Sequence, residues 1–130
     1  MIKLYETAGC SSCRKAKSWL EENQLDYRSV NIETKPLKFA EIKFLFSLAD
    51  DIYDVVSKRS NPVQSFKRTH GYELEDLSFN KLIEFLQQNP TAMKRPLLTN
   101  GKILISGYDS DELTALLPKE KRGWTARGAL

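Results

Sequence analysis

The chain has 130 residues, 41% of them apolar and 28% charged, enough for one well-buried core and too few for two ordinary domains. No apolar run approaches the ~18 residues of a membrane span, and strand-like sequence starts within five residues of Met1, so no membrane association and no secretory signal are read and a cytoplasmic protein is expected. The net charge of +3 resides in the tail, where Lys119, Lys121, Arg122 and Arg127 outnumber Glu120, and a neutral body argues against autonomous nucleic-acid binding.

Residues Ile2–Glu6 alternate as a short strand, Thr7-Ala8-Gly9 form a loop, and from Ser11 the spacing turns helical, with Ala16, Trp19 and Leu20 on one face. Asn23 and Gln24 end that helix. Tyr27–Ile32 reads as a second strand whose apolar positions are Tyr27, Val30 and Ile32. Pro36 marks the start of a helix with the apolar stripe Leu37, Ile42, Leu45, Phe46 and Leu48. A shorter helix is expected over about Asp51–Ser57, turning Val55 and Val56 inward, whereas residues 60–76 are polar and show no clear period. Ser78 caps a helix from Phe79 to about Gln88, with Leu82, Ile83, Phe85 and Leu86 inward, stopped by Asn89-Pro90.

Near the end, "RPLLTNGKILI" puts Asn100-Gly101 between two strand-like runs and predicts a type I′ hairpin turn. In "YDSDELTALL", Asp109 and Glu112 have capping-box spacing, for a helix that packs Leu113, Leu116 and Leu117 and closes at Pro118. Residues 119–130 read as a flexible basic tail.

The order is β-α-β, about sixty residues of helices, then β-β-α. This predicts an α/β protein with a thioredoxin-like core, two parallel strands joined by a crossover and then an antiparallel hairpin with a closing helix. A single domain over residues 1–118 is expected, its core at about 1–33 and 91–118 and a helical subdomain inserted at about 34–90.

The only two cysteines, Cys10 and Cys13, fall where the first strand gives way to the first helix. Free backbone N–H groups and the helix dipole favour a thiolate at such a start. Positions three apart there lie about 5–6 Å from each other, inside disulfide reach. Arg14 and Lys15 add positive charge, so Cys10 reads as the nucleophile and Cys13 as the resolving thiol. A zinc site wants four ligands, and the chain adds only the distant His70, so no metal and no cofactor are expected. As a staple, a four-residue loop contributes only about 2 kcal/mol, against ~4.7 for a hundred-residue loop. A reversible redox pair is the preferred reading, with two inert thiols as the alternative.

His70 is assigned no role, and Phe39, Phe44, Phe46 and Phe66 are expected in the core. Arg95-Pro96 stands apart. In thioredoxin-like folds the residue before the hairpin strand is commonly a cis-proline facing the CxxC, which makes Pro96 the candidate and brings the Arg95 guanidinium near Cys10. A guanidinium there would stabilise a thiolate or hold an oxyanion.

These features together resemble the Spx family of bacterial transcription regulators, in the arsenate-reductase-like branch of the thioredoxin superfold. The resemblance runs over nearly the whole chain, through "CSSCRKAKSWLEE", "PLKFAEIK", "SKRS", "KRPLL" and "GYDSDELTALLP". It implies a stress-responsive sensor that binds the C-terminal domain of the RNA polymerase α subunit, touches DNA only indirectly and acts as a monomer. The implied switch is a Cys10–Cys13 disulfide to which Arg95 responds; Arg59 and Arg14 join Arg95 as candidates for stabilising a thiolate or an oxyanion. It also implies removal by an ATP-dependent protease that reads the C-terminal tail, here ending "RGAL".

The family's polymerase-contacting glycine has no match in "LADDIYDVV", where Asp50, Asp51, Ile52 and Tyr53 are the partner-binding candidates. The competing enzyme reading is an arsenate-reductase-like or glutaredoxin-like thiol oxidoreductase. The reductases resemble this chain at Cys10, Arg59 and Arg95, but they use a further arginine, and none lies between Arg95 and Arg122.

Overall fold

A computed structural model describes residues 1–118, so the expected tail at 119–130 lies outside the described residues. Alternation in β1 (Ile2–Glu6) sends Ile2 and Leu4 to one face of a sheet and Tyr5 to the other. In α1 (Ser11–Glu22) the helical period stacks Cys13, Ala16 and Leu20 on the buried side. Asn23 and Gln24 end α1, Gln24 in the left-handed region at φ 55°, and β2 (Tyr27–Asn31) returns parallel to β1 with Leu4 beside Ser29. β3 (Leu97–Thr99) lies antiparallel on the other side of β1, and β4 (Leu104–Ser106) pairs with β3. The sheet order is β2-β1-β3-β4.

Each face of the sheet carries its own cluster. On one, Ile2, Leu4, Leu98 and Ile105 pack against Ala16 and Leu20 of α1 and against Leu113 and Leu116 near the chain's end. On the other, Tyr5 and Leu97 pack against the long segment between β2 and β3, through Ile42 and Leu45 of α2 (Phe39–Leu48) and Ile83 and Leu86 of α4 (Phe79–Gln88). Burying one such side chain fully contributes about 1.5–3 kcal/mol.

The secondary structure departs from, or adds to, the sequence expectations at five places. α2 begins at Phe39 rather than at Pro36, because Leu37 is buried outside the helix and its carbonyl accepts from the Gln87 side chain. Over 51–57 there is a single 3-10 turn, Ile52–Asp54, closed by reciprocal Asp51 and Asp54 carboxylate bonds, after which Val56 leaves to pair with Met93. The unassigned region holds α3 (Asn61–His70), ended by Gly71 at φ 74°, a left-handed conformation that suits glycine, and a 3-10 turn at Leu74–Asp76. The hairpin loop spans four residues rather than two. The Asn100 side chain accepts from the N–H groups of Lys102 and Ile103, which widens the turn until Thr99 pairs with Leu104. The last helix, α5 (Ser110–Leu113), is one turn long and tightens into a 3-10 turn at Thr114–Leu116, with Asp109 accepting from the N–H groups of Asp111 and Glu112.

Of the four phenylalanines assigned to the core, Phe44 is 43% exposed, since Ile42 and Leu45 occupy the buried stripe of α2. Phe39, Phe46 and Phe66 pack partly buried against the core.

Candidate functional site

The loop from β1 into α1 turns at Gly9 (φ 75°) and delivers Cys10 to the N-cap of the helix. Cys10 has extended backbone angles (φ −86°, ψ 109°), and its Sγ accepts from the Cys13 N–H at 3.2 Å. The sulfur thus takes up one of the donors that a helix start leaves free. Cys10 and Cys13 are joined as a disulfide, with 5.2 Å between their Cα atoms. Cys13 is 1% exposed beneath the helix, while Cys10 is half-buried and faces solvent at one end of an open cleft. A reagent from solvent therefore meets Cys10 first.

That cleft measures about 640 Å³ and is lined by the Thr7–Gly9 loop, the start of α1, Lys94, Arg95, Glu33 and Ser57. The Arg95–Pro96 bond is cis, and the Arg95 guanidinium donates from Nη1 to Thr7 Oγ1 at 3.4 Å, a long contact to a buried side chain. Two cations, Lys94 and Arg95, and one carboxylate, Glu33, thus share the cleft with the accessible sulfur.

The three arginines named from the sequence do not converge. Arg95 lines the cleft. Arg59 is exposed and outside its wall, and Arg14 faces a separate groove with Lys15, Trp19 and Tyr108. Lys94, not named from the sequence, lines the cleft where Arg59 does not. It stood inside the "KRPLL" block and could have been found there. Thr7 and Glu33 carry no sequence signal that sets them apart from other loop residues.

A short ladder leads away from the site. The Ser57 N–H donates to the Ala92 carbonyl and the Lys94 N–H to the Val55 carbonyl, both at 2.7 Å, flanking the Val56–Met93 bridge. This ties the segment carrying Lys94 and Arg95, ahead of β3, to the 3-10 turn beside the partner candidates. There Asp50 and Asp51 are exposed and donate through their N–H groups to Asp54 Oδ2 at 2.9 and 3.1 Å. Ile52 and Tyr53 are half-buried, with Lys58 Nζ 4.6 Å from the Tyr53 ring centre. Burial and nearby carboxylates raise the Tyr53 hydroxyl above its ordinary range. Among the described residues no cluster of His, Cys, Asp and Glu side chains could hold a metal, and no helix is long and apolar enough to cross a membrane.

A four-stranded mixed sheet with a paired CxxC at the first strand-to-helix turn defines a thioredoxin-like fold. Comparison with known proteins narrows that class. The ArsC family model matches residues 5–116. The global transcriptional regulator Spx of Listeria innocua is 36% identical over 99% of this chain and 96% of its own length. Global transcriptional regulator Spx 2 of Bacillus anthracis is 35% identical over 94% and 91% respectively. The chain belongs to the ArsC family and, within it, to the Spx regulators.

Solved structures share the fold. An ArsC family related protein from Bacteroides fragilis superposes with a TM-score of 0.77 at 23% identity, covering 89% of this chain and 97% of that one. An arsenate reductase from Vibrio cholerae superposes with a TM-score of 0.76 at 16% identity, with the same coverage of 89% and 97%.

Proposed function

We propose that the protein is a redox-responsive transcription regulator that acts through the C-terminal domain of the RNA polymerase α subunit. The observation that carries this reading is the placement of Cys10, which caps α1, is open to solvent and is bonded to a buried partner one turn along. Oxidation joins the two sulfurs as their thiols give two electrons and two protons to the oxidant. In reversal a first external thiol attacks Cys10 and releases Cys13 as a thiol, and a second external thiol frees Cys10 from the mixed disulfide, the two leaving together as an external disulfide.

Exchange at Cys10 changes the charge and bonding beside Arg95 and Lys94, and the ladder at residues 92–94 and 55–57 carries that change to the turn bearing Asp50, Asp51, Ile52 and Tyr53. That turn, on the helical segment inserted between β2 and β3, is the polymerase-binding element. No enzymatic turnover belongs to this reading. An oxyanion substrate wants several converging donors, and Arg59 stands outside the cleft. Removal by an ATP-dependent protease through the C-terminal tail, a monomeric state and a cytoplasmic location complete the proposal.

The test is capture of the RNA polymerase α C-terminal domain by oxidised protein, reduced protein and Cys10→Ala. Capture that differs between the two redox states and loses that difference in Cys10→Ala is expected. Equal capture in all three, or turnover of arsenate or of a disulfide substrate without capture, overturns the reading.

A further inference from the structure

β2 is an edge of the sheet. Its consecutive residues Arg28, Ser29, Val30 and Asn31 all line one groove of about 330 Å³, which continues past Lys35 and Lys38. Successive strand side chains point to opposite faces, so a run of neighbours meets one groove only where that groove follows the backbone edge. The hydrogen bonds give the direction of that edge. The Ile32 N–H donates inward to Glu6 on β1, and by alternation the Ser29 N–H and carbonyl point outward. The outward carbonyl of Asn31 is already taken by the Lys35 N–H at 2.9 Å. Ser29 therefore presents a donor and an acceptor to the groove.

The charge around this edge is unbalanced. Lys3 and Arg28 are register partners on neighbouring strands and point to the same face, an arrangement in which like charges repel. Glu41 offsets Lys3 alone, at 3.5 Å, while also accepting from the Tyr5 hydroxyl. Arg28, Lys35 and Lys38 make no ion pair among the described residues. An arginine on an edge strand serves by itself to discourage pairing between copies. Lys35 and Lys38 come from the following loop and serve no such end.

We propose that this groove docks an extended acidic segment of a partner protein, which adds to β2 as a strand while its carboxylates meet Arg28, Lys35 and Lys38. A nucleic-acid backbone would match the charge but offers no peptide groups to an open strand edge.

The test uses the full chain and a fluorescent peptide of alternating Glu and Val, read by anisotropy and by amide shifts. Saturable binding that shifts the Ser29 amide and its neighbours is expected. Lys35→Ala/Lys38→Ala should weaken it about tenfold. Ser29→Pro removes the outward N–H, leaves the β1 ladder and the charges in place, and should weaken it to a similar degree, with thermal unfolding confirming the fold. Undiminished binding by Ser29→Pro, shifts confined to another surface, absence of binding, or displacement by a short DNA duplex at equal charge each overturns the proposal. Neither the dithiol nor polymerase enters this assay, so its failure is separate from failure of the regulatory reading.

Discussion

Replacing Cys10 by Ala or by Ser separates its two structural duties, because the same sulfur caps α1 and bonds to Cys13. Under reductant only the cap is at stake. Cys10→Ala deletes the acceptor that meets the Cys13 N–H at 3.2 Å, and loss of an N-cap costs about 1 kcal/mol. Cys10→Ser supplies an oxygen at the same place and should match or exceed the reduced parent. Without reductant both variants also lose the closed four-residue loop, worth about 2 kcal/mol. The oxidised parent should then exceed Cys10→Ser by about 2 and Cys10→Ala by about 3 kcal/mol. In a domain of this size 1 kcal/mol corresponds to about 4 °C in Tm, so circular dichroism melts with and without dithiothreitol resolve the order. Equal melting of the Ala and Ser variants under reductant would refute the capping role. A Cys10→Ser protein as stable as the oxidised parent would refute any contribution from the bond.

Arg95→Ala should abolish the redox dependence of polymerase-domain capture while Arg59→Ala leaves it unchanged, because only Arg95 lines the cleft; parallel pull-downs decide this. Ser57→Pro removes the N–H that binds the Ala92 carbonyl and costs about 1 kcal/mol by urea unfolding. It should also equalise capture by oxidised and reduced protein, since Val56 before it is already paired as a strand bridge and tolerates a following proline. Two tyrosines should titrate late by ultraviolet absorbance. The hydrogen bond to Glu21 holds the Tyr27 hydroxyl up at about 12, and burial, then Glu41, raises Tyr5 further. Both favour the neutral hydroxyl in the folded state, so their contribution to stability is complete below pH 10 and declines as pH rises beyond it. Tyr5→Phe should flatten that alkaline decline in pH-dependent melts.

Much of the scaffold was legible because its signals are local. The spacing of Leu82, Ile83 and Leu86 announced α4, and Asn89-Pro90 its end. By contrast, α3 turns only Val63 and Phe66 inward, too few apolar positions to show a period, and its remaining residues are solvated. The helix expected over 51–57 failed for a different reason. Val55 and Val56 are apolar enough for a helix face, but a pairing with Met93, far along the chain, draws Val56 into an extended bridge. No local pattern announces such a partner.

The sequence by itself determined where the accessible sulfur stands, because a cysteine just before a helical run is an N-cap and another three residues on lies one turn away. Which cations share its cleft was decided only by tertiary structure. Lys94 and Arg95 line the same cleft as Cys10 because β3 pairs antiparallel beside β1, while Arg59, equally basic in sequence, is left on the outer surface ahead of α3. The open edge of β2 likewise follows from its place at the end of the strand order, and strand order is a property of long-range pairing.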